Sequence, residues 1–314
     1  LHPNAFVPAL HLAKAHENRG NYHAAIELYR RAFEQHPDKH EAGLRLGALT
    51  ARFGSYEEGR AMMRAAVLQD ASLASLNVAL LTEMAEQFRE AGDMQRASGL
   101  FEELLADDPD DVFLGTRLAE TLIGQGLYEK ALEICRTLMG IDGENENAAK
   151  MIDTIYQKQQ DNAGLVAEWR SLCAVLPFSV TSHVHLGAVL EQTGNLKQAH
   201  AVYEEALRNA PENAKLNLSY GILTALIDDY DRGRAIMDAA LAAEPALAGE
   251  MAEGLARIAR RAYEQGGSKR AEALYREAIA LAPDEYWHRV RLGELLAGEG
   301  KNDEAIPLFC EVMA

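Results

Sequence analysis

The chain has 314 residues, of which 48% are hydrophobic and 9 are prolines, and its formal net charge is −17. This composition excludes a disordered chain, because enough apolar residues are present to form a core. The negative charge argues against a general nucleic-acid binder, which needs a basic face to neutralise phosphates. The longest apolar runs are too short to span a bilayer, and the opening residues, which lack an initiator Met, do not form a signal peptide.

The cysteines favour a reducing compartment. Cys135, Cys173 and Cys310 are far apart and form no CxxC pair, so neither a zinc site nor a disulfide framework is expected. Each is expected to be a small buried hydrophobic side chain. We therefore predict a cytoplasmic location, while a periplasmic one stays open if a leader has been removed.

Six prolines follow a period of 34 residues. They are Pro37, Pro109, Pro177, Pro211, Pro245 and Pro283. Their successive spacings of 72, 68, 34, 34 and 38 are one or two multiples of 34, with four extra residues on two occasions. Since proline lacks an N–H and disfavours helix in the preceding residue, each of these prolines is expected to follow the end of a helix.

Three further columns recur at the same period. The first holds glycines, which are expected to form a turn between two helices: Gly20, Gly54, Gly92, Gly126, Gly194, Gly266 and Gly300. The second, five residues later, holds small residues that let two helices approach: Ala25, Gly59, Ala97, Ala131, Ala199, Gly233, Ala271 and Ala305. The third is expected to hold bulky core residues: Tyr29, Met63, Phe101, Cys135, Trp169, Tyr203, Met237, Tyr275 and Phe309.

These columns define nine units, each predicted to be a pair of antiparallel amphipathic helices. The units begin at residues 6, 40, 78, 112, 146, 180, 214, 252 and 286. Four-residue insertions at 74–77 and 248–251 precede the third and eighth units, and each is expected to lengthen a helix or loop. The fifth unit fits the pattern least well, since it has Gln160 at the turn and Leu165 in the small column.

The units also repeat as a block. The stretch YEEGRAMMRAA at 56–66 returns 174 residues later as YDRGRAIMDAA at 230–240. Units one to four recur as units six to nine at this offset, including the insertion. We therefore predict a single repeat domain over residues 1–314, in which 1–179 and 180–314 arose by internal duplication.

The column pattern resembles that of the tetratricopeptide repeat (TPR) family, whose signature combines a Leu-Gly pair, a turn Gly, an Ala, an aromatic residue and a closing Pro. The stretch from His11 to Pro37 matches this signature nearly throughout, and the resemblance covers essentially the whole chain. It implies an all-α fold, a right-handed α-solenoid of about nine 34-residue helix-turn-helix repeats with a concave groove. The last unit ends at FCEVMA without a polar capping helix, so we expect a fragment of a longer protein.

In this family, certain positions of each first helix face a ligand in the groove. The basic residues at these positions are Lys14, Arg45, Arg52, Arg89, Arg117, Lys150, Lys158, Lys215, Arg257, Arg260 and Arg291. The acidic ones are Glu17, Glu41, Glu83, Glu86, Glu90, Glu120, Glu191, Glu253, Glu264 and Glu294. A nearly neutral groove in a chain of charge −17 would suit a polypeptide ligand. Alternatively, these charges form helix-stabilising pairs that only solvate a face, as in Arg117–Glu120 and Arg291–Glu294.

Two aromatic residues occupy equivalent groove positions. Phe113 and Trp287 would either anchor an apolar side chain of a partner or pack on the preceding repeat. Some family members hold a C-terminal carboxylate with Lys and Asn from three consecutive repeats. Here the corresponding positions hold Leu10 and Lys14, then Arg45, then Ala79 and Glu83, so this clamp is not expected.

No pattern in the sequence indicates catalysis or a cofactor. Walker, GxSxG, HExxH and dinucleotide motifs are absent. Most histidines lie among the first forty residues (His2, His11, His16, His23, His36 and His40), and His183 and His185 follow later. They match no metal pattern and are expected at the surface or its boundary. The acidic run 106–111 is expected to favour the start of the next helix rather than to bind calcium.

Three hypotheses for the function follow. The first is a non-enzymatic scaffold or adaptor that binds a segment of a partner protein in the groove, with no nucleic acid, membrane span or cofactor. The second is the recognition arm of a larger enzyme of the glycosyltransferase or sulfotransferase type. The third is a scaffold that assembles with itself through its terminal repeats. None of these hypotheses identifies the partner or the pathway.

Overall fold

The computed structural model describes residues 6–227 and 229–313, and every regular element within these ranges is a helix. The all-α prediction is therefore confirmed. The chain divides into two compact units, with the division between Ile141 and Asp142. This division lies away from the proposed duplication boundary at 179/180, and the duplication stays a prediction.

The first compact unit contains four helix pairs. Their bounds are α1 (Phe6–Asn18), α2 (Tyr22–Gln35), α3 (His40–Phe53), α4 (Tyr56–Gln69), α5 (Ala74–Glu90), α6 (Met94–Asp107), α7 (Val112–Gln125) and α8 (Tyr128–Ile141). Each odd-numbered helix packs against the even-numbered helix that follows it, and α2 and α6 also pack against the first helix of the next pair. The pairs therefore stack in chain order, as expected for a helical repeat.

The second compact unit contains five helix pairs. Their bounds are α9 (Glu146–Gln159), α10 (Asn162–Val175), α11 (Val180–Gln192), α12 (Leu196–Asn209), α13 (Ala214–Ile227), α14 (Tyr230–Ala243), α15 (Ala248–Glu264), α16 (Ser268–Leu281), α17 (Tyr286–Gly298) and α18 (Asn302–Met313). The same pattern of packing holds within this unit, where α10, α12 and α16 contact the next first helix.

The small and bulky columns lie where the two helices of a pair meet. Every member of the small column is buried, and so is every bulky residue except Phe309, which is partly buried. Glycines on the first helices make room for the bulky residues: Gly187 lies against the Tyr203 ring and Gly293 against Phe309. These contacts explain why the Leu-Gly pair and the aromatic residue recur together.

The turns mostly use left-handed glycine, as the sequence predicts. Gly20, Gly92, Gly126, Gly194, Gly266 and Gly300 have φ between +74° and +82°. Gln160 adopts the same region at φ +56°, so the fifth pair keeps its turn without glycine. The expectation is wrong at Gly54, whose φ is −134°. There the Gly54 N–H ends α3 on the Thr50 carbonyl, and Ser55 in an extended conformation begins α4.

The proline column marks helix ends. Each of the six prolines lies two residues beyond the last residue of α2, α6, α10, α12, α14 or α16. The acidic run 106–111 lies at one of these junctions, and Asp111 begins α7 by accepting a hydrogen bond from the Leu114 N–H at 3.0 Å. Both expectations are thus confirmed by the local hydrogen bonding.

The two insertions lengthen helices. Residues 74–77 form the first turn of α5 and residues 248–251 the first turn of α15, so each of these helices has 17 residues. A short 3₁₀ helix precedes each one, at Ala71–Leu73 and at Pro245–Leu247. The insertions therefore extend the first helix of their pairs toward the preceding pair.

Candidate functional site

The predicted groove cations of the first compact unit are paired with carboxylates. Lys14 lies 2.7 Å from Glu41, and Arg45 contacts Glu41 at 3.2 Å and Glu17 at 3.5 Å. Glu17 also accepts a hydrogen bond of 2.6 Å from the hydroxyl of Tyr29. Lys14 and Arg45 lower the pKa of Glu41 against the opposing effect of its burial. The charges on α1 and α3 therefore satisfy one another.

The remaining cations of this unit are paired in the same way: Arg52 with Glu83, Arg89 with Glu86, and Arg117 with Glu86 and Glu120. The hydrogen bond with Glu120 is the main cause of a raised pKa at Arg117. The guanidinium of Arg117 also lies over the ring of Phe113, 5.3 Å from its centre. In the first compact unit, the groove charges thus form the helix-stabilising pairs of the simpler interpretation.

The second compact unit presents its predicted cations differently. Lys150 and Lys158 are exposed on α9, and Lys150 has only a 3.4 Å contact with Glu146. Arg291 on α17 is half exposed and pairs with Glu294 at 2.8 Å. Lys215, Arg257 and Arg260 instead lie together around a cleft, which is the largest concave feature of this unit's described residues.

This cleft has a volume of about 810 Å³ and is lined by residues of α11, α13 and α15. Its floor includes Val184, Ala188 and Leu226, while Lys215, Arg257 and Arg260 contribute positive charge. Arg261 lines it as well. The sequence analysis missed Arg261, because that position is not among the family's groove positions, although its one-residue distance from Arg260 could have indicated a shared surface.

A smaller pocket of about 270 Å³ adjoins the cleft and shares Arg257 and Arg260 with it. Trp287, His288 and Arg291 of α17 line this pocket, together with residues of α15 and α16. The structure therefore places five predicted site residues of α13, α15 and α17 on two adjoining concave surfaces. Lys150 and Lys158 line neither of them.

The charges around the cleft are only partly neutralised. Glu191 accepts hydrogen bonds from the hydroxyl of Tyr203 at 2.8 Å and from Arg257 at 2.6 Å. Burial, and then the negative charge of Glu191, raise the pKa of Tyr203. Arg260 is 70% exposed and only 3.9 Å from Glu264, its one ion-pair partner among the described residues. Lys215 forms no ion pair within that same part of the chain.

The two groove aromatics are both exposed. Phe113 is 51% and Trp287 54% accessible, so neither side chain belongs to the core between helices. Trp287 lies against Tyr286, with 4.7 Å between ring centres. An accessible tryptophan beside arginines can contact an apolar group or a cation-bearing one.

Three residue expectations need correction. His183 and His288 are buried rather than at the surface, and the imidazole of His183 is held by the Ser179 carbonyl at 2.7 Å. Cys310 is exposed on α18, because few side chains of that helix are covered, whereas Cys135 is buried as expected. Cys173 is half buried, and burial raises the pKa of its thiol to about 12. His2 lies outside the described residues.

Chemically, the arrangement offers cations and an aromatic ring on a concave surface. In the described ranges, no group of three or more His, Cys, Asp or Glu side chains is placed to hold a metal ion. No helix within those ranges has both the length and the apolar character needed to cross a bilayer. The surface is thus suited to bind an extended polar ligand with apolar side chains.

Sequence comparison identifies relatives. Models described as tetratricopeptide repeat match residues 7–49, residues 88–155, and residues 184–248 together with 256–313. The chain is also 25% identical to tetratricopeptide repeat protein 21B of Xenopus laevis over 231 residues, or 70% of this chain. It spans only 17% of the length of that protein.

Solved structures with a similar fold include three repeat proteins. A tetratricopeptide repeat protein from Parabacteroides merdae is 16% identical, with coverage of 93% of this chain and 99% of that one and a TM-score of 0.40. The Cut9–Hcn1 heterotetramer of APC/C gives 11%, 96%, 72% and 0.47 in the same order. YrrB, described as a TPR protein with an unusual peptide-binding site, gives 14%, 58%, 92% and 0.36. At these identities the likeness concerns the fold alone.

Proposed function

Because this chain belongs to the tetratricopeptide repeat family, we propose that it is a non-enzymatic scaffold whose second compact unit binds a polypeptide segment of a partner protein. One observation carries the proposal: the open cleft of about 810 Å³ is lined by Lys215, Arg257 and Arg260, which all belong to first helices. Its size accommodates several side chains of an extended segment.

The state of the charges favours the second compact unit over the first. In the first unit, all five predicted cations are already paired with carboxylates of neighbouring first helices. A ligand would have to break these pairs before it could use the cations. In the cleft, Lys215 and Arg260 offer hydrogen-bond donors that no close carboxylate occupies. Binding there would cost less rearrangement of the free protein.

The proposal is tested by affinity capture from native lysate with the full chain as bait. The cleft variant Lys215→Glu/Arg260→Glu reverses two exposed charges of the cleft. The control variant Lys197→Glu/Lys269→Glu makes the same change in charge at exposed positions of α12 and α16 that do not line it. We expect a partner that the parent and the control retain and that the cleft variant loses, because only the cleft variant repels the ligand.

The outcome that contradicts the proposal is equal capture by the two variants, or the absence of any specifically retained protein. Trp287→Ala extends the test to the adjoining pocket. Since this side chain is half exposed, we expect weaker capture with unchanged helix content by circular dichroism. A loss of folding cooperativity in this variant would assign Trp287 to the core instead.

A further inference from the structure

The lining of the cleft and its adjoining pocket is positively charged, although the chain as a whole has a net charge of −17. Five cationic side chains line the two surfaces: Lys215, Arg257, Arg260, Arg261 and Arg291. Three carboxylates line them: Glu191, Glu253 and Glu264. A local excess of positive charge on an acidic protein attracts negatively charged ligands and disfavours basic ones.

The carboxylates leave most of this positive charge available. Glu191 is occupied by Tyr203 and Arg257, so it holds Arg257 in position rather than facing a ligand. Within the described residues, Lys215 and Arg261 take part in no ion pair. Arg260 has only its 3.9 Å contact with Glu264. Three donors around the cleft therefore remain free for an incoming carboxylate.

The adjoining pocket contains an unsatisfied polar group. His288 is only 5% exposed, and its Nε2 atom has no hydrogen-bond partner among the residues described. A buried polar atom without a partner costs free energy, which a bound ligand can recover. His288 lines this pocket beside the half-exposed ring of Trp287. Polar and apolar contacts are thus available next to the arginines.

We propose that this surface binds an acidic polypeptide segment, whose Asp and Glu side chains contact Lys215, Arg260 and Arg261 and whose single aromatic or aliphatic side chain packs on Trp287. The inference rests on the proposed function and specifies the chemistry of the partner segment. The cations are spread over α13, α15 and α17, which matches carboxylates distributed along a chain better than one concentrated anion. A free C-terminus is not required, since the donors are side chains directed at side chains.

The test measures fluorescence anisotropy of a labelled probe peptide with the full chain. The probe is Glu-Asp-Glu-Asp-Phe-Glu-Asp-Glu with an amidated C-terminus. Its neutral counterpart is Gln-Asn-Gln-Asn-Phe-Gln-Asn-Gln, also amidated. We expect saturable binding of the acidic probe at low ionic strength, a Kd at least about tenfold higher for the neutral peptide, and weaker binding as salt is added.

Variants locate the binding surface. Lys215→Gln/Arg260→Gln is expected to raise the Kd of the acidic probe at least about tenfold, because both residues offer charge without supporting the fold. Lys197→Gln/Lys269→Gln, with the same change in charge on α12 and α16, is expected to leave the Kd unchanged. A probe with Ala in place of Phe should bind more weakly to the parent, and this difference should vanish in Trp287→Ala.

Several outcomes overturn the inference. Equal binding of the acidic and neutral peptides would leave the scaffold proposal standing and remove the charge recognition. Binding that requires a free C-terminal carboxylate on the probe would assign the site to a chain end. No saturable binding up to about 1 mM would exclude an acidic segment as the ligand. Since affinity capture does not depend on the probe, failure here and failure of the proposed function are distinguishable.

Discussion

At Gly59 and Gly233, the absence of a side chain sets the distance between two helices. A Cβ atom at Gly59 would overlap the backbone of Ala51 and the carbonyl of Gly47, and one at Gly233 would overlap Ala225 and Gly221 in the same way. The neighbouring atoms are backbone, so they cannot move aside as a flexible side chain could. This explains why these two units depart from alanine in the small column.

We predict that Gly59→Ala lowers the free energy of unfolding by about 1–3 kcal/mol, because α3 and α4 must move apart. The matched control is Gly99→Ala in the interior of α6, where an added Cβ meets no atom within 4 Å. That change is expected to stabilise the protein by about 0.5–1 kcal/mol, since alanine loses less backbone entropy than glycine. Urea denaturation followed by circular dichroism measures both, and equal effects of the two substitutions would refute the close contact.

Between helices, tyrosine–glutamate hydrogen bonds connect the two members of a pair. The Tyr203 hydroxyl of α12 donates to Glu191 of α11 at 2.8 Å, and Tyr29 of α2 donates to Glu17 of α1 at 2.6 Å. Burial is the largest cause of the raised pKa of both tyrosines, and the neighbouring carboxylate adds to it. Each hydroxyl therefore keeps its proton in the folded state at a pH where an unfolded tyrosine has lost it.

This difference predicts how stability depends on pH. The contribution of Tyr203 is fully present below the unfolded pKa of about 10 and is lost as the pH rises toward the higher folded pKa. We expect Tyr203→Phe to be less stable than the parent at pH 8 by about 1 kcal/mol, and this difference to shrink above pH 10. Melting temperatures of both proteins across this range test it. A difference that stays constant with pH would contradict the assignment.

A second contact between elements links the outer helices of successive pairs. The guanidinium of Arg60 on α4 donates to both carboxylate oxygens of Glu103 on α6, at 2.5 and 2.6 Å. Arg234 of α14 and Glu277 of α16 form the same bidentate pair at the same sequence separation of 43 residues. The sequence analysis missed both pairs, because these residues lie outside the columns. Their recurrence supports the proposed duplication.

On the scale of the whole molecule, burial is uneven along the stack. The first helix of the first pair, α1, buries only Leu10 and Ala13, and the last helix, α18, buries only Ala305. Eight residues of α3 are buried, including Gly43, Gly47 and Leu49. Leu12, which shares a column with buried leucines, is half exposed because no described helix covers that face of α1.

We predict that native-state hydrogen exchange follows this distribution. Amides of α1 and α18 should exchange at least about tenfold faster than those of α3, since a helix with few buried contacts opens locally at low cost. Exchange measured by mass spectrometry on the full chain resolves these segments. Uniform protection from α1 to α18 would show instead that the stack opens only as a whole.

The proposals on this scale concern assembly as well as binding. The relative from Xenopus laevis is about six times as long as the part that this chain matches, so a role as the recognition arm of a larger protein stays a prediction. Self-association through the terminal repeats also stays a prediction. The lining charges of the cleft concern neither of these, and they distinguish peptide binding from both.

The sequence by itself determined the period, the helix pairs and the positions of the turns. These features depend on residues within one 34-residue unit, where Pro177 ends a helix and Gly194 forms a turn through their own backbone chemistry. Even the poorest unit kept its turn, because Gln160 adopts the left-handed conformation. Local chemistry repeated many times is visible without any knowledge of tertiary contacts.

Only the tertiary structure decided which groove cations are free. Arg117 is neutralised by Glu86 from the preceding pair, 31 residues earlier, and Arg257 by Glu191, 66 residues earlier. Ion pairs across such separations depend on how helices stack and on which rotamers reach across the groove, and neither is encoded in a column pattern. The burial of His288 and the exposure of Cys310 depend on the same packing. The candidate site therefore emerged from the stacked helices, although every one of its cations except Arg261 was already marked by its position in the repeat.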